Sequence, residues 1–236
     1  MGYGIALRVW GPYACFTRPE MKVERVSYDV MTPSAARGIL EAIYWKPSIR
    51  WVIDRIHVLA PIKFTNVKRN ELGATGEAGV KVPFGTVKRA MKDGNTPVQT
   101  SIENYRQQRA ALVLKNVDYV IEAHFVLTEK AGRSVPNGQV DPSDGEPAKH
   151  YEIFTRRAKQ GQCFHHPYFG TREFGVNFSW INKERIGNLQ HEGDRDLGWM
   201  LHDIDFEHDM TPRFFRAAMK GGIIEVPAFD SEEVKV

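Results

Sequence analysis

An α+β fold, antiparallel strands backed by two helices, is what this sequence predicts, on three observations. Apolar residues alternate with period two at Tyr3 to Trp10 and again at Tyr119 to Leu127. They recur at helical spacing after Thr32-Pro33. The segments follow one another as strand, helix, strand and then strand, helix, strand. A length of 236 residues suffices for one generous domain or two small ones, and 42% hydrophobic with 26% charged content is that of ordinary globular chains.

In chain order, Ile5, Leu7 and Val9 alternate with Ala6, Arg8 and Trp10 in a half-buried strand that Gly11-Pro12 ends. Thr32 is placed to cap a helix with Pro33 at its first position, and Ala36, Ile39, Leu40 and Ile43 form its apolar face until Pro47 prevents continuation. Trp51 to Leu59 predicts a strand, and Pro61 allows only an edge or bulged extension toward Lys68. Residues 70–100 are rich in Gly, Thr, Pro, Lys and Arg without a sustained period, and are expected to form a mobile insertion rather than a core element. Ala110 to Leu114 is apolar, and Tyr119 to Leu127 predicts a central strand, with Ile121, Ala123, Phe125 and Leu127 on one face and Glu122 and His124 on the other. A loop from Gly132 to Pro147 leads into a helix from about Lys149 to Gln160, ended by Gly161. Gly170 to Trp180 supplies a further strand around a glycine-marked turn. Gly198 to Phe206 predicts a strand, Thr211-Pro212 opens a short helix to Lys220, and Ile223 to Val226 is a final strand after Gly221-Gly222. This order is that of a ferredoxin-like domain, the architecture of RNA-recognition modules, at residues 1–178, followed by a small β-rich C-terminal domain at 179–236.

No apolar run approaches the roughly 20 residues of a membrane-spanning helix, and Arg8 interrupts any signal-peptide core. The opening Met-Gly lacks Ser or Thr at position 6, which argues against an N-myristoyl anchor. Cys15 and Cys163 are too few for a disulfide framework or a cysteine-rich zinc module, so a reduced, cytoplasmic protein is expected. The net charge of +3 says little, but its distribution is uneven. Between Ala60 and Lys115 ten Lys or Arg stand against four acids, while His191 to Asp209 holds seven acids against Arg195 alone. The first segment suits a phosphate backbone; solvated surface accounts for both stretches as well.

The P-loop, H-E-x-x-H, C-x-x-C and G-x-S-x-G patterns are absent, and Gly2-Tyr3-Gly4 precedes a strand instead of following one, so it is no dinucleotide fingerprint. The His202-to-Asp209 run offers carboxylates and imidazoles, with Asp203, Asp205 and His208 as possible ligands of a divalent ion, but alternating outward acids on a strand explain it better. Cys163, His165 and His166 lack a fourth ligand at useful spacing. A third constellation needs neither metal nor cofactor. Cutting RNA through its own 2′-hydroxyl requires a proton acceptor, a cation for the phosphorane and a donor for the leaving oxygen, which His, Lys and Tyr can supply. Lys149 and His150 stand at a predicted helix start, where backbone N–H groups favour a phosphate. Tyr44 closes the other helix beside Trp45, an aromatic able to stack on a base. Taken singly, Lys149-His150 also fits a solvated lysine beside a capping histidine, and Tyr44 an aromatic at the core's edge.

The stretch Val9-Trp10-Gly11-Pro12-Tyr13-Ala14-Cys15-Phe16-Thr17, then Val26-Ser27-Tyr28, then Gly38 to Pro47 with its Ile43-Tyr44-Trp45-Lys46-Pro47 pentapeptide, resembles the CRISPR-associated Cas five family of subtype I-C, part of the RAMP superfamily. Ala123-His124-Phe125, Lys149-His150-Tyr151, Phe169-Gly170-Thr171-Arg172-Glu173 and Leu197 to His202 are similar to it in order and spacing. The likeness runs nearly end to end, except for the loops at about 70–100 and 131–147. The resemblance implies a metal-independent endoribonuclease that cuts precursor CRISPR transcripts at the 3′ base of each repeat hairpin and stays on the 5′ handle within the surveillance complex. Its catalytic tyrosine, lysine and histidine fall on Tyr44, Lys149 and His150. RNA is then expected at Trp45 and Lys46, at the cations Lys68, Arg69, Lys88, Arg89, Arg106 and Arg109, and at His124, Gly170 and Arg172. Other complex subunits and double-stranded DNA are further expected partners, and a non-catalytic nucleic-acid-binding scaffold is the alternative.

Overall fold

The computed structural model describes residues 3–21, 23–72, 84–94, 106–133, 142–206 and 208–236. In chain order these form β1 (Ile5–Ala14), β2 (Arg25–Val26), α1 (Pro33–Ile43), β3 (Ile49–Val58), β4 (Phe64–Leu72) and α2 (Phe84–Asp93). There follow β5 (Arg106–Leu127), α3 (Pro147–Gln160), β6 (Asn177–Trp180), β7 (Arg195–Asp205), β8 (Thr211–Lys220), β9 (Ile223–Glu225) and β10 (Val234–Lys235). The result is a mixed α/β architecture with few helices on a large sheet of ten strands, ordered β10-β8-β9-β3-β5-β1-β6, with β2 and β4 added to β5 and β7 to β8. Every pairing is antiparallel except that of β2 with β5. Among the described residues no helix is long and apolar enough to cross a membrane.

The organising strand is β5, and it is longer than its alternation predicts. It runs unbroken through Ala110 to Leu114 and on to Leu127, 22 residues in all. Asn116 has a φ of 53°, a conformation that asparagine tolerates better than most residues. Below it Arg106 to Leu114 pair with β4, and above it Tyr119 to Leu127 pair with β3. Strand β1 lies along the other edge, in register Ile5↔Ala123 to Ala14↔Leu114.

The helix after Thr32 forms as its signals predict. The Thr32 hydroxyl oxygen accepts the Ala35 N–H at 3.3 Å, and Ala36, Ile39, Leu40 and Ile43 are buried. In α3, His150, Phe154 and Ala158 are the buried face, and Gly161 takes the left-handed conformation, φ 67°, that closes the helix.

Four expectations need correction. Gly11-Pro12 does not end the first strand: β1 runs on to Ala14, with Gly11↔Val117 and Ala14↔Leu114 paired on β5, and Pro12 is tolerated because pairing with β6 stops at Trp10 and leaves that side an edge. Residues 211–220 are strand, not helix: Phe215, Ala217 and Met219 are buried in alternation, and the segment pairs with β7 from Asp205↔Thr211 to Arg195↔Met219. Thr211-Pro212 imitates a helix start, but Pro212 stands at the beginning of an edge segment, and pairing with β7 outweighs the local signal. Within 70–100, β4 reaches Leu72 and a helix, α2, forms, while 73–83 and 95–100 lie outside the described residues. Helix α2 joins no core: Met91 is 84% exposed. Finally, the strand expected over Gly170 to Trp180 is confined to Asn177–Trp180, preceded by an irregular turn bridged at Tyr168↔Gly175.

Candidate active site

Tyr44 is the C-cap of α1 and turns the chain into extended conformation, φ −154° and ψ 122°. Its carbonyl accepts the Trp51 indole N–H at 2.9 Å, which ties the turn to β3. His150 lies in the first turn of α3, on the face that carries Phe154 one turn later. Trp51 packs on Phe154, ring centroids 4.7 Å apart, and Phe125 of β5 lies 6.0 Å from the His150 ring. The apolar faces of two helices thus meet the same strands, and this brings together side chains 106 positions apart. The Tyr44 hydroxyl is 2.8 Å from His150 Nδ1.

The direction of that bond follows from the other ring nitrogen. His150 Nε2 is 2.9 Å from the Asp144 main-chain carbonyl, which can only accept. Nε2 therefore carries the hydrogen, and in the neutral ring Nδ1 is a bare lone pair that accepts from the Tyr44 O–H. The phenol pKa is pushed up to about 12, chiefly by burial and further by the Asp144 carboxylate, while Arg157 opposes the rise. The phenol therefore keeps its proton at neutral pH, and it donates that proton's hydrogen bond whenever the ring is neutral.

A short 3₁₀ turn, Pro142–Gly145, covers this pair. Besides its carbonyl on His150, Asp144 places a carboxylate oxygen 2.6 Å from Lys46 Nζ, and Ser143 Oγ accepts from Lys149 Nζ at 2.6 Å. One turn thus contacts the imidazole and both ammonium groups. His150 is 0% and Tyr44 3% exposed, whereas the neighbouring Trp45 is 54% exposed.

A family model described as CRISPR-associated protein (Cas_Cas5) matches residues 4–227. The chain belongs to this Cas5 family. A relative from Mannheimia succiniciproducens, named CRISPR pre-crRNA endoribonuclease Cas5d, is 56% identical over 240 residues and covers 100% of both chains. A relative of the same name from Thermus thermophilus is 40% identical over 250 residues, covering 98% of this chain and 94% of its own. A solved structure described as a CRISPR-associated protein superposes with a TM-score of 0.68 at 26% identity, over 99% of this chain and 96% of that one.

In this Cas5 chain the other expected contact residues are dispersed. Lys68 and Arg69 lie on β4 and Arg106 and Arg109 on the start of β5, the opposite end of that strand from Leu127. Arg69 and Arg109 face acids: with Arg25 they surround Glu71, and Arg69 and Arg25 also pair with Glu173. Lys68, Lys88, Arg89, Arg106 and Arg172 are exposed. His124 Nδ1 is 2.8 Å from Asp54. Gly170 has a φ of 79° and lies against the backbone of Cys15. Asp203 forms a two-pronged pair with Arg37 at 2.6 and 2.9 Å, and Asp205 faces Arg213 and His208 at 3.0 and 3.1 Å. Among the described residues no group of three or more His, Cys, Asp or Glu is arranged to hold a metal ion.

Asp144 and Arg157 escaped the sequence reading. Arg157 stands seven residues after His150, two helical turns along the same face, and that spacing was the available signal. Nothing local marks Asp144, which lies in a Pro/Gly/Asp-rich loop.

The Asp144–Lys46 contact yields a pH prediction. Burial alone would raise the Asp144 carboxyl, but hydrogen bonding and the Lys46 ammonium hold it below the ordinary carboxylate range. A group depressed in the folded state contributes stability that is fully present above its unfolded pKa, about 4, and is lost as pH falls through the lower folded value. Asp144→Asn is expected to lower the urea midpoint at pH 7 and to lose that deficit toward pH 3. An equal deficit at both pH values would show that the charge contributes nothing.

Proposed function

We propose that this chain is an endoribonuclease that cuts CRISPR precursor RNA within its repeats, without a metal ion, through attack of the RNA's own 2′-hydroxyl. The single observation that carries the reading is the 2.8 Å contact of the Tyr44 hydroxyl with His150 Nδ1, the ring's acceptor nitrogen. The names of the two relatives, pre-crRNA endoribonuclease, support the substrate class.

In the reaction the 2′-oxygen attacks phosphorus, the bond from phosphorus to the 5′-oxygen breaks, and the products are a 2′,3′-cyclic phosphate and a free 5′-hydroxyl. Tyr44 positions or deprotonates the 2′-hydroxyl and passes the proton to His150 Nδ1; the imidazolium then holds a proton to return. Lys149 stabilises the charge on the phosphorane, with Lys46 as a second cation. The scissile phosphate reaches them by displacing the Pro142–Gly145 turn, its charge replacing the Asp144 carboxylate at Lys46.

The ferredoxin-like assignment is part of this reading. Strands β3, β5, β1 and β6 lie adjacent in that order and alternate in direction, with α1 and α3 as crossovers, which is what the repeated strand-helix-strand order demands. The division into a first part at 1–178 and a C-terminal part at 179–236 is part of the proposal on the strength of the β7–β8 hairpin; its boundary falls within β6, and β9 pairs with β3 so that both parts share one sheet. Proposed partners are the repeat hairpin, reached through exposed Trp45 and the cations Lys68, Lys88, Arg89, Arg106 and Arg172; other subunits of a type I-C surveillance complex; and double-stranded DNA held by charge alone. A cytoplasmic location follows from that role.

Incubation with cognate repeat RNA in EDTA is the deciding experiment. The expected result is one cut per repeat leaving a 2′,3′-cyclic phosphate, blocked by a 2′-deoxy substitution at the scissile nucleotide with hairpin binding unchanged. Cleavage of the deoxy substrate, or loss of cleavage in EDTA, would refute the mechanism. Complete burial of His150 favours a second reading, a non-catalytic RNA-binding scaffold; bound but intact RNA would establish it.

A further inference from the structure

The last carbonyls of a helix have no partner within it, and at the end of α1 those of Ala42, Ile43 and Tyr44 are claimed by the rest of the fold. Ala42 O accepts from the Phe164 and His165 N–H groups at 2.9 and 3.3 Å, and Tyr44 O accepts from the Trp51 indole. Between them Ile43 O accepts from Arg157 Nη1 at 2.7 Å. Arg157 alone among these donors carries a charge, and it meets the negative end of the helix dipole. Its guanidinium carbon also lies 5.3 Å from the centre of the Tyr44 ring.

We propose that Arg157 is the positioning residue of this site: it fixes the residue before Tyr44 from the same helix that carries His150, so that phenol and imidazole are held at hydrogen-bond distance. The proposal rests on the endoribonuclease reading for its consequence in catalysis, but not for its geometry. Two turns of α3 separate Arg157 from His150, so one rigid element sets both ends of the contact. The charge has a second effect. The groups facing the phenol are Asp144 from the covering turn, itself paired with Lys46, and His150 and Arg157 from α3; of the two fixed charges, Asp144 opposes loss of the phenolic proton and Arg157 favours it. A neutral side chain at 157 would remove the charge that favours loss of the phenolic proton and keep the one that opposes it.

The test uses Arg157→Gln and Arg157→Lys in the full chain, with two readouts. Single-turnover cleavage at saturating repeat RNA is expected to fall about 10- to 100-fold in Arg157→Gln, since small misplacement of reacting groups costs that much. RNA affinity is expected to stay within about threefold, because phosphate attraction is spread over many cations, and Arg157→Lys should recover most of the lost rate. Independently of RNA, the ¹⁵N shifts of His150 should report an acceptor Nδ1 beside a protonated Nε2 in the parent, and Nδ1 should move toward the value of an unbonded imine in Arg157→Gln. If the parent cuts no RNA yet the shift moves, the function fails and the positioning role stands. If Arg157→Gln melts earlier but its folded fraction keeps the parent's Nδ1 shift and cleavage rate, Arg157 is only a tie between helices and the proposal is overturned.

Discussion

Replacement of Lys149 and His150 together by alanine is expected to abolish cleavage of repeat RNA while leaving its binding largely intact. General acid-base catalysis by one positioned group is worth about 10²- to 10⁴-fold. Loss of the proton acceptor and the phosphorane cation together removes two roles at once, and Lys46 replaces only part of the second. On the proposed reading binding survives because the phosphate attraction is spread over exposed cations on β4, α2 and β5. His150 is buried, and its removal leaves both the Tyr44 hydroxyl and the Asp144 carbonyl without a partner, at roughly 1–3 kcal/mol each. Tyr44→Phe therefore accompanies the experiment: it keeps the ring and its packing and leaves one buried group, His150 Nδ1, without a partner instead of two, so it should lower the rate by about 10²-fold or more with a smaller loss of melting temperature than the double variant. Normal cleavage by the double alanine variant, at the usual position and rate, would refute the assignment.

Gly170→Ala is expected to destabilise the fold more than any exposed substitution, even though Gly170 falls in a segment assigned to RNA contact. A Cβ there would lie 2.0 Å from the Cys15 carbonyl oxygen and 2.7 Å from its carbon. Both are backbone atoms of the chain that leaves β1, and the Cys15 N–H is itself held at 3.0 Å by the Phe169 carbonyl, so neither side yields cheaply. The φ of 79° adds a strain that only glycine escapes. Overpacking and left-handed strain together are worth on the order of 2–5 kcal/mol. Thermal melting should show the loss directly, and a variant that melts within a degree or two of the parent would mean that the loop repacks freely.

Much of the candidate site was legible because its parts sit at the ends of strongly signalled helices. Thr32-Pro33 and the spacing of Ala36, Ile39, Leu40 and Ile43 place Tyr44 at a helix end, and Gly161 closes the helix that begins beside Lys149 and His150. Opposite cases are equally instructive. Thr211-Pro212 carried a helix signal that pairing with β7 overrode, since a cross-strand partner is invisible to any local window. Arg69 and Arg109 read as free cations, but a register that sets them opposite each other on β4 and β5 gathers Glu71 and Glu173 around them. Asp144 carried no pattern, because a main-chain carbonyl acting on His150 depends on the path of a loop and not on residue type.

By itself the sequence determined the local elements whose caps and periodicity agree, the family, and the three residue types that could move a proton along a ribose-phosphate link. These depend on side chains within a few positions of one another, or on a pattern matched along the whole chain. Only the tertiary structure decided that Tyr44 donates to the Nδ1 of His150, that Pro142–Gly145 covers the pair, and that Arg157 holds the end of α1. Such facts arise from packing two helices on one sheet, which joins groups about a hundred residues apart, and hydrogen-bond direction is set by whichever acceptor the fold brings to the opposite nitrogen.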